Sequence, residues 1–197
     1  MIFVGDVHGK FSQFGKIVED NPGKRIWQVG DMGIGFGQYP SAFSPNVRFI
    51  RGNHDNPLLC GPHINYLGDY GVEIIRENKE LRSVFYVSGA FSTDQLYRTE
   101  GRDWWRGEEL TYRQGQDCID EYVKFRPEIV LSHDCPKSVV ELICGTANNT
   151  ATNQLLQAVF ELHQPKLWVF GHHHISWQQK VQGTQFICLN ELETVEI

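Results

Sequence analysis

Five short apolar segments of this 197-residue chain are each followed at once by side chains that can bind a metal ion. The first segment, Ile2–Val4, leads through Gly5 to Asp6 and His8. These two residues stand two positions apart, so on extended backbone their side chains point to the same side. Short apolar runs ended by glycine are typical of buried strands. Because functional residues gather at the carboxyl ends of strands in open α/β sheets, the pattern predicts a fold in which several strand ends meet.

The other four clusters follow later apolar segments in the same manner. In chain order they contain Asp31, then Asn53, His54 and Asp55, then His133, and finally His172 and His174. Carboxylate, amide and imidazole groups suit zinc, manganese or iron. Taken singly, Asp6 and Asp31 could instead cap helices or turns. Asn53 could be a turn residue, and His133 could be a hydrogen-bonded core histidine. The repetition at five strand ends favours one shared metal site.

Composition excludes several classes of protein. Hydrophobic residues make up 41% and charged residues 21% of the chain, which is typical of a globular protein with a substantial core. The net charge of −6 argues against generic binding to a nucleic-acid backbone. The five cysteines form no CxxC pair, so we expect neither a disulfide framework nor a zinc finger, and we predict a reducing, cytoplasmic location. We see neither a signal-peptide pattern nor an apolar run of membrane-spanning length.

Hydrophobic periodicity and turn residues predict alternating strands and helices, the pattern of an α/β architecture. Helices are predicted over 11–20, 108–125, 136–144 and 153–163. Strands are predicted over 2–4, 25–29, 46–50, 72–75, 81–87, 129–131, 167–170, 179–181, 185–189 and 194–197. The strands 72–75 and 81–87 are expected to be antiparallel, and residues 88–106 to be irregular. Because no repeat or linker divides the chain, residues 1–197 are expected to form one domain.

In their order, the clusters resemble the five motifs of the calcineurin-like metallophosphoesterases. The matching stretches are Gly5-Asp6-Val7-His8-Gly9, Gly30-Asp31, Gly52-Asn53-His54-Asp55, Ser132-His133 and Gly171-His172-His173-His174. The resemblance implies two packed mixed β-sheets flanked by helices, with a two-metal site above the strand ends. Many members carry a further carboxylate and an arginine in the second motif, where this chain has Ile34 and Gly35. The chain therefore looks more like the compact microbial and phage-type phosphoesterases than like the eukaryotic protein serine/threonine phosphatases.

The resemblance also implies a role for each site residue. The first metal would be held by Asp6, His8 and His174, the second by Asn53, His133 and His172, with Asp31 bridging both. His54 is expected beside the leaving-group oxygen, and Asp55 is expected to hydrogen-bond His54 and orient it. His173 is expected to point away from its two neighbours and not to bind these metals. Two divalent ions are implied; we expect Mn²⁺, while iron, zinc, nickel or cobalt would also suit the donors.

Such a site predicts a phosphomonoesterase, either of broad specificity or acting on phosphoproteins. In this interpretation a hydroxide between the two metals attacks the phosphorus in line. An alternative is a phosphodiesterase or nuclease acting on cyclic nucleotides or nucleic acid. A third, less favoured hypothesis is a metal-binding scaffold without activity. The expected partner is a phosphorylated small molecule or phosphoprotein, and we expect neither generic nucleic-acid binding nor membrane binding.

The irregular segment 88–106 offers replacements for the missing arginine. Arg98 is the predicted substrate-binding residue, with Arg102 or Arg106 as alternatives, because a guanidinium can bind a phosphoryl group through two hydrogen bonds. Trp104 and Trp105 could form a wall of the substrate pocket. The favoured alternative is that the tryptophans cover the core, as large buried aromatic residues commonly do, and that the arginines are solvated.

Overall fold

The computed structural model describes residues 1–77 and 80–197, and within them the chain forms ten strands in two sheets. The strands are β1 (Ile2–Val4), β2 (Ile26–Gln28), β3 (Val47–Phe49), β4 (Tyr70–Glu77), β5 (Glu80–Val87), β6 (Ile129–Ser132), β7 (Leu167–Phe170), β8 (Trp177–Val181), β9 (Thr184–Cys188) and β10 (Thr194–Glu196). One sheet has the order β10-β1-β2-β3, and the other has the order β4-β5-β6-β7-β9-β8. Every predicted strand is present, with bounds that differ by at most a few residues.

Both sheets are mixed. In the smaller sheet β1, β2 and β3 are parallel, and β10 pairs antiparallel with β1. In the larger sheet β5, β6, β7 and β9 are parallel, while β4 and β8 pair antiparallel at the two edges. The predicted antiparallel pairing of the strands now named β4 and β5 is thus confirmed. Together with the flanking helices, this is the α/β sandwich that the resemblance implied.

Three of the five α-helices in the described residues begin at a residue whose side chain caps them. The five helices are α1 (Phe11–Glu19), α2 (Pro57–Cys60), α3 (Tyr112–Phe125), α4 (Lys137–Cys144) and α5 (Ala151–Leu162). The helix predicted from residue 108 begins only at Tyr112, because Thr111 and Gln114 form a capping box. The helix predicted from residue 153 begins two residues earlier, because the Thr150 hydroxyl accepts the Asn153 backbone N–H at 3.0 Å. Helix α2 has only four residues, which are too few to show a helical periodicity in the sequence.

Alternate side chains of each strand fill different layers of the core, as the pleat of a strand requires. Phe3 of β1 points between the sheets and belongs to the same buried cluster as Leu131 of β6 and Val169 of β7. Val4, the next residue of β1, lies on the other face and packs in the cluster of Phe14 from α1. Helices α3, α4 and α5 contribute to a third cluster on the larger sheet. The sheets are therefore packed face to face with helices outside.

Two expectations about the chain as a whole can be compared with the structure. All five cysteines are free, in agreement with the expected lack of a disulfide framework. Within residues 1–77 and 80–197, none of the helices is both long and apolar enough to cross a bilayer.

Candidate metal centre

One group of expected metal ligands comes from the loops after β1, β2 and β7. It consists of Asp6, His8, Asp31 and His174. The Nε2 atoms of His8 and His174 are 3.0 Å apart, and His174 Nε2 is 3.1 Å from Asp6 Oδ2. His8 Nε2 lies 3.7 Å from the same Asp6 oxygen and 3.9 Å from Asp31 Oδ2. One donor atom of each residue lies within 4.8 Å of the others, so a single ion with bonds of about 2.0–2.2 Å could be held between them.

A second group forms around His133, which follows β6. Its Nε2 is 3.3 Å from Asp31 Oδ1 and 3.2 Å from Asn53 Oδ1, while its Nδ1 is 2.9 Å from the Val29 carbonyl oxygen. Burial disfavours the charged form of His133, but the carboxylates of Asp31 and Asp6 outweigh burial and raise its pKa to about 10. The surroundings of His133 Nε2 therefore favour positive charge, and a divalent ion would supply such charge in place of a proton.

His172 lies beside this second group. The centroids of the His172 and His133 rings are 5.1 Å apart, and the His172 backbone N–H is 3.2 and 3.3 Å from the two carboxylate oxygens of Asp6. Burial lowers the pKa of His172 to about 4, so its imidazole is neutral at neutral pH. A neutral imidazole is the form that binds metal ions.

The backbone of the site is unusual for residues with side chains. Four expected ligands have left-handed backbone conformations: His8 (φ 47°), Asp31 (φ 57°), His172 (φ 65°) and His174 (φ 52°). Such conformations cost on the order of 1–3 kcal/mol each and cluster at functional sites, where the surroundings hold them in place. The strain at this site is thus a second indication, independent of residue type, that it is functional.

Glycines precede the ligands because the ligands of different motifs approach one another closely. A Cβ atom at Gly52 would collide with Asp31 Oδ1 and His133 Nε2. A Cβ atom at Gly171 would collide with Asp6 Oδ1. Gly52 and Gly171 therefore each leave room for a side chain from another motif.

His54 stands at the edge of both groups, in contact with Arg98. The His54 backbone N–H donates to Asp31 Oδ1 at 2.7 Å, and two guanidinium nitrogens of Arg98 lie 3.0 and 3.1 Å from the ring nitrogens of His54. Asp94 accepts two hydrogen bonds of 2.7 Å from Arg98, and the Asp103 carbonyl accepts one of 3.0 Å. Burial lowers the pKa of His54, with Arg98 acting in the same direction and Asp31 against it. The predicted substrate-binding arginine therefore lies directly beside a neutral His54.

Asp55 does not have the partner that the resemblance implied. Backbone N–H groups of four residues donate to its carboxylate at 2.7–3.1 Å: Met32, Gly33, Ile34 and Gly52. Asp55 is fully buried, so its carboxylate needs such donors, and the loop after β2 supplies three of them. The expected hydrogen bond to His54 is thus replaced by bonds that fix this loop, and in the structure Arg98 contacts the His54 ring instead.

Asn53 is oriented by two residues to which the sequence analysis assigned no role. The Asn53 Nδ2 atom donates to Ser92 Oγ at 3.1 Å, and Ser92 Oγ donates to Glu108 Oε2 at 2.5 Å. The Ser92 backbone N–H donates to Glu108 Oε1 at 2.9 Å. Burial raises the pKa of Glu108, while the bonds from Ser92 favour its carboxylate form. Because a carboxylate only accepts, the Ser92 hydroxyl must accept from Asn53, which turns Asn53 Oδ1 towards His133.

A cavity of about 440 Å³ adjoins both groups of donors. The described residues that line it include Asp31, Asn53, His54, His172 and His174, together with Asp94 and Arg98. Neither Trp104 nor Trp105 is among these lining residues; Trp105 is buried, with its ring centroid 4.8 Å from that of Phe36. This favours the alternative in which the tryptophans cover the core. Arg106 is exposed and pairs with Glu100 at 3.2 Å, so Arg98 is the better placed of these two arginines.

The sequence matches the family model described as calcineurin-like phosphoesterase over residues 1–176. The match includes all the expected ligands, from Asp6 to His174. Members of this family act on phosphoesters and normally bind divalent metals, which agrees with the donor groups found in the structure. A search of curated protein sequences finds no significant match.

Two solved structures share the fold at low sequence identity. A Staphylococcus aureus protein described as a candidate 5′-nucleotidase, in complex with α-ketoglutarate, is 16% identical with a TM-score of 0.59; the match covers 96% of this chain and 48% of that one. GAP50, described as the anchor in the inner membrane complex of Plasmodium, is 10% identical with a TM-score of 0.52; the match covers 96% of this chain and 71% of that one. This chain spans about half the length of the S. aureus protein. At such identities the likeness concerns the fold alone, whereas the family model covers most of the sequence and shows that the chain belongs to the calcineurin-like phosphoesterases.

Proposed function

We propose that the chain is a two-metal phosphomonoesterase in which Asp31 bridges the metals. The first ion would be held by Asp6, His8 and His174, and the second by Asn53, His133 and His172. The observation that carries this proposal is the position of the Asp31 carboxylate. Its Oδ2 is 3.9 Å from His8 Nε2, and its Oδ1 is 3.3 Å from His133 Nε2. One carboxylate that presents different oxygens to two donor groups meets the requirement for a bridging ligand of a two-metal site.

Manganese is the proposed activating metal, and the donor set is compatible with it. All the proposed ligand atoms are oxygen or nitrogen, a set that suits manganese and that iron, zinc, nickel or cobalt can also use. When bound, the ions would act as Lewis acids on the phosphoryl group and make nearby water more acidic. Two buried carboxylates support a cation at this place, because Asp31 Oδ1 lies 3.3 Å from His133 Nε2 and Asp6 also acts on this ring.

His54 and Arg98 are proposed to act on the substrate itself. His54 lines the cavity, and its imidazole N–H can donate to the leaving-group oxygen as negative charge develops there. Arg98 is the only lysine or arginine among the described residues that line the cavity, and Asp94 fixes its guanidinium. The contacts of this guanidinium with the two His54 ring nitrogens would be exchanged for a phosphoryl oxygen when substrate binds. A monoester carries more negative charge than a diester, so this cation supports the phosphomonoesterase over the phosphodiesterase.

The test is hydrolysis of p-nitrophenyl phosphate and bis-p-nitrophenyl phosphate by metal-stripped protein before and after Mn²⁺ is restored. We expect metal-dependent activity with preference for the monoester. His54→Ala should lower kcat by about 10²–10³-fold, the usual cost of removing one hydrogen bond to developing negative charge. Asp31→Asn should weaken metal binding and activity together. Asp20→Asn, at an exposed position after α1, is the matched control and should leave both unchanged.

Each other outcome points to a different conclusion. Preference for the diester would replace the phosphomonoesterase by the phosphodiesterase. Bound metal without turnover of either ester would contradict a broadly specific phosphatase and favour the scaffold hypothesis. Full activity of Asp31→Asn would refute the bridging role.

A further inference from the structure

A second cluster of side chains that could bind a metal lies beside the candidate centre, on the same cavity, and uses none of its ligands. His173 stands between His172 and His174 in the chain, yet its Nε2 lies 3.1 Å from Asp134 Oδ1 and 3.8 Å from Cys135 Sγ. One donor atom from each of these three residues lies within 4.8 Å of the others. We propose that Asp134, Cys135 and His173 form a separate site for a thiolate-binding divalent ion, and that zinc is the metal that fits it.

The distances agree with a tetrahedral ion. Bonds of about 2.3 Å to sulfur, 2.0–2.1 Å to nitrogen and 2.0–2.2 Å to oxygen would place the nitrogen about 3.3 Å from the oxygen and about 3.6 Å from the sulfur. The observed separations from His173 Nε2 are 3.1 Å to Asp134 and 3.8 Å to Cys135. Shifts of a few tenths of an ångström would therefore bring the donors into the coordination shell of one zinc ion.

The donors of this site are held in place before any ion binds. Asp134 is buried; its Oδ2 accepts from Asn153 Nδ2 at 2.6 Å, and its Oδ1 accepts from the Cys135 backbone N–H at 2.7 Å. These bonds leave a further lone pair on Oδ1, directed to the side where His173 lies. Hydrogen bonds that fix a ligating carboxylate are a regular feature of zinc sites. Asn153 is fixed in turn, because its backbone N–H bonds Thr150 at the start of α5.

The chemistry of the donors separates this site from the candidate centre. Cys135 supplies a thiolate, whereas every proposed ligand of the centre is oxygen or nitrogen. Thiolates select zinc or cobalt over manganese or magnesium. On binding, the Cys135 thiol would lose its proton to solvent, and the His173 proton would move to Nδ1 so that Nε2 could bind the ion. Asp134 and His173 also line the cavity, so water or a small ligand could complete the coordination.

Cobalt tests the proposal, because a thiolate bound to Co²⁺ gives a charge-transfer band in the near ultraviolet and oxygen or nitrogen ligands do not. Reduced, metal-free protein should develop this band when titrated with Co²⁺. Cys135→Ser should abolish the band and bind one equivalent less zinc in a chelator competition. His173→Gln, which keeps the thiol, should weaken zinc binding at least tenfold. Cys144→Ser is the matched control: Cys144 Sγ lies 4.0 Å from the other ring nitrogen of His173 and is not among the three donors, so the band should remain.

Failure of this proposal can be told apart from failure of the phosphatase proposal. The thiolate band should persist in Asp31→Asn, because Asp31 is not a donor of the cysteine site. Absence of the band in the unmodified protein would overturn the zinc site, whatever the Mn²⁺-dependent activity. Persistence of the band in Cys135→Ser would also overturn the zinc site. Circular dichroism of each variant confirms that a lost band does not reflect unfolding.

Discussion

Replacing Glu108 by glutamine tests how the Asn53 amide is oriented towards its proposed metal. In the structure the Glu108 carboxylate can only accept, so the Ser92 hydroxyl donates to it at 2.5 Å and accepts from Asn53 Nδ2 at 3.1 Å. A glutamine could instead present its NH₂ group to Ser92. The hydroxyl could then donate to Asn53, whose amide would turn its oxygen away from His133.

The expected loss of metal affinity can be worked out from the hydrogen bond that the substitution removes. A hydrogen bond to a charged group contributes about 1.5–3 kcal/mol. Loss of a residue that orients a metal ligand commonly weakens metal binding by about 10–100-fold, which equals about 1.4–2.8 kcal/mol. The two figures agree, so we expect the affinity for the second ion to fall by about 10–100-fold. Excess metal should restore most of kcat, because Glu108 itself does not line the cavity.

Calorimetric titration of metal-free protein with Mn²⁺ measures this affinity, and assays at increasing Mn²⁺ measure the rescue. Glu109→Gln is the matched control. The Glu109 Oε1 atom accepts from the Thr152 backbone N–H and hydroxyl at 2.8 and 2.9 Å, and a glutamine can keep both bonds through its own Oε1, so the same substitution is made away from Asn53. Unchanged Mn²⁺ affinity in Glu108→Gln, or equal losses in both variants, would refute the argument that Glu108 orients Asn53.

Four further outcomes are expected elsewhere in the molecule. Arg98→Ala should raise KM for the monoester by about 10–100-fold and change KM for the diester less, because it removes hydrogen bonds to a charged group; equal effects in steady-state kinetics would contradict the proposed role. Gly52→Ala should abolish calorimetric Mn²⁺ binding, since its Cβ would displace Asp31 and His133. Phe3→Ala should lower the free energy of unfolding in urea by about 3–5 kcal/mol, as Phe3 is fully buried. Burial raises the pKa of Tyr86 to about 12. The contribution of Tyr86 to stability is therefore present below about pH 10 and is lost as the pH rises through about 12. In Tyr86→Phe, the free energy of unfolding measured in urea should fall less steeply over this pH range.

The strands and helices, and the convergence of the expected ligands on one site, could be predicted because both follow from local patterns in the sequence. Apolar runs ended by glycine indicated the strands, and residues that follow parallel strands gather at one edge of a sheet. The order of the strands could not be predicted in this way. Periodicity is a property of one strand, whereas the placing of β9 between β7 and β8 depends on packing between segments. For the sheet pairing, the resemblance to a family was needed.

The supporting contacts of the site were missed for a physical reason. Asp55 follows His54 directly, yet its carboxylate bonds the backbone of the loop after β2, and sequence proximity carries no information about such bonds. Ser92 and Glu108 meet across an irregular segment with no periodic signal. The sequence does carry one signal that places Glu108 outside α3, since the Thr-x-x-Gln pattern of Thr111 and Gln114 marks a helix start.

The proposed ligands come from both sheets, and this has a consequence for how the molecule comes apart. Asp31 follows β2 of the smaller sheet, and His133, 3.3 Å away, follows β6 of the larger one. Ions held between them would join the sheets along one edge of the interface, so separating the sheets would also require releasing the ions. A metal concentration 100 times the dissociation constant would then add about 2.7 kcal/mol to the free energy of unfolding. Chelation should therefore increase amide hydrogen exchange first in β2 and β6, before it affects the outer strands.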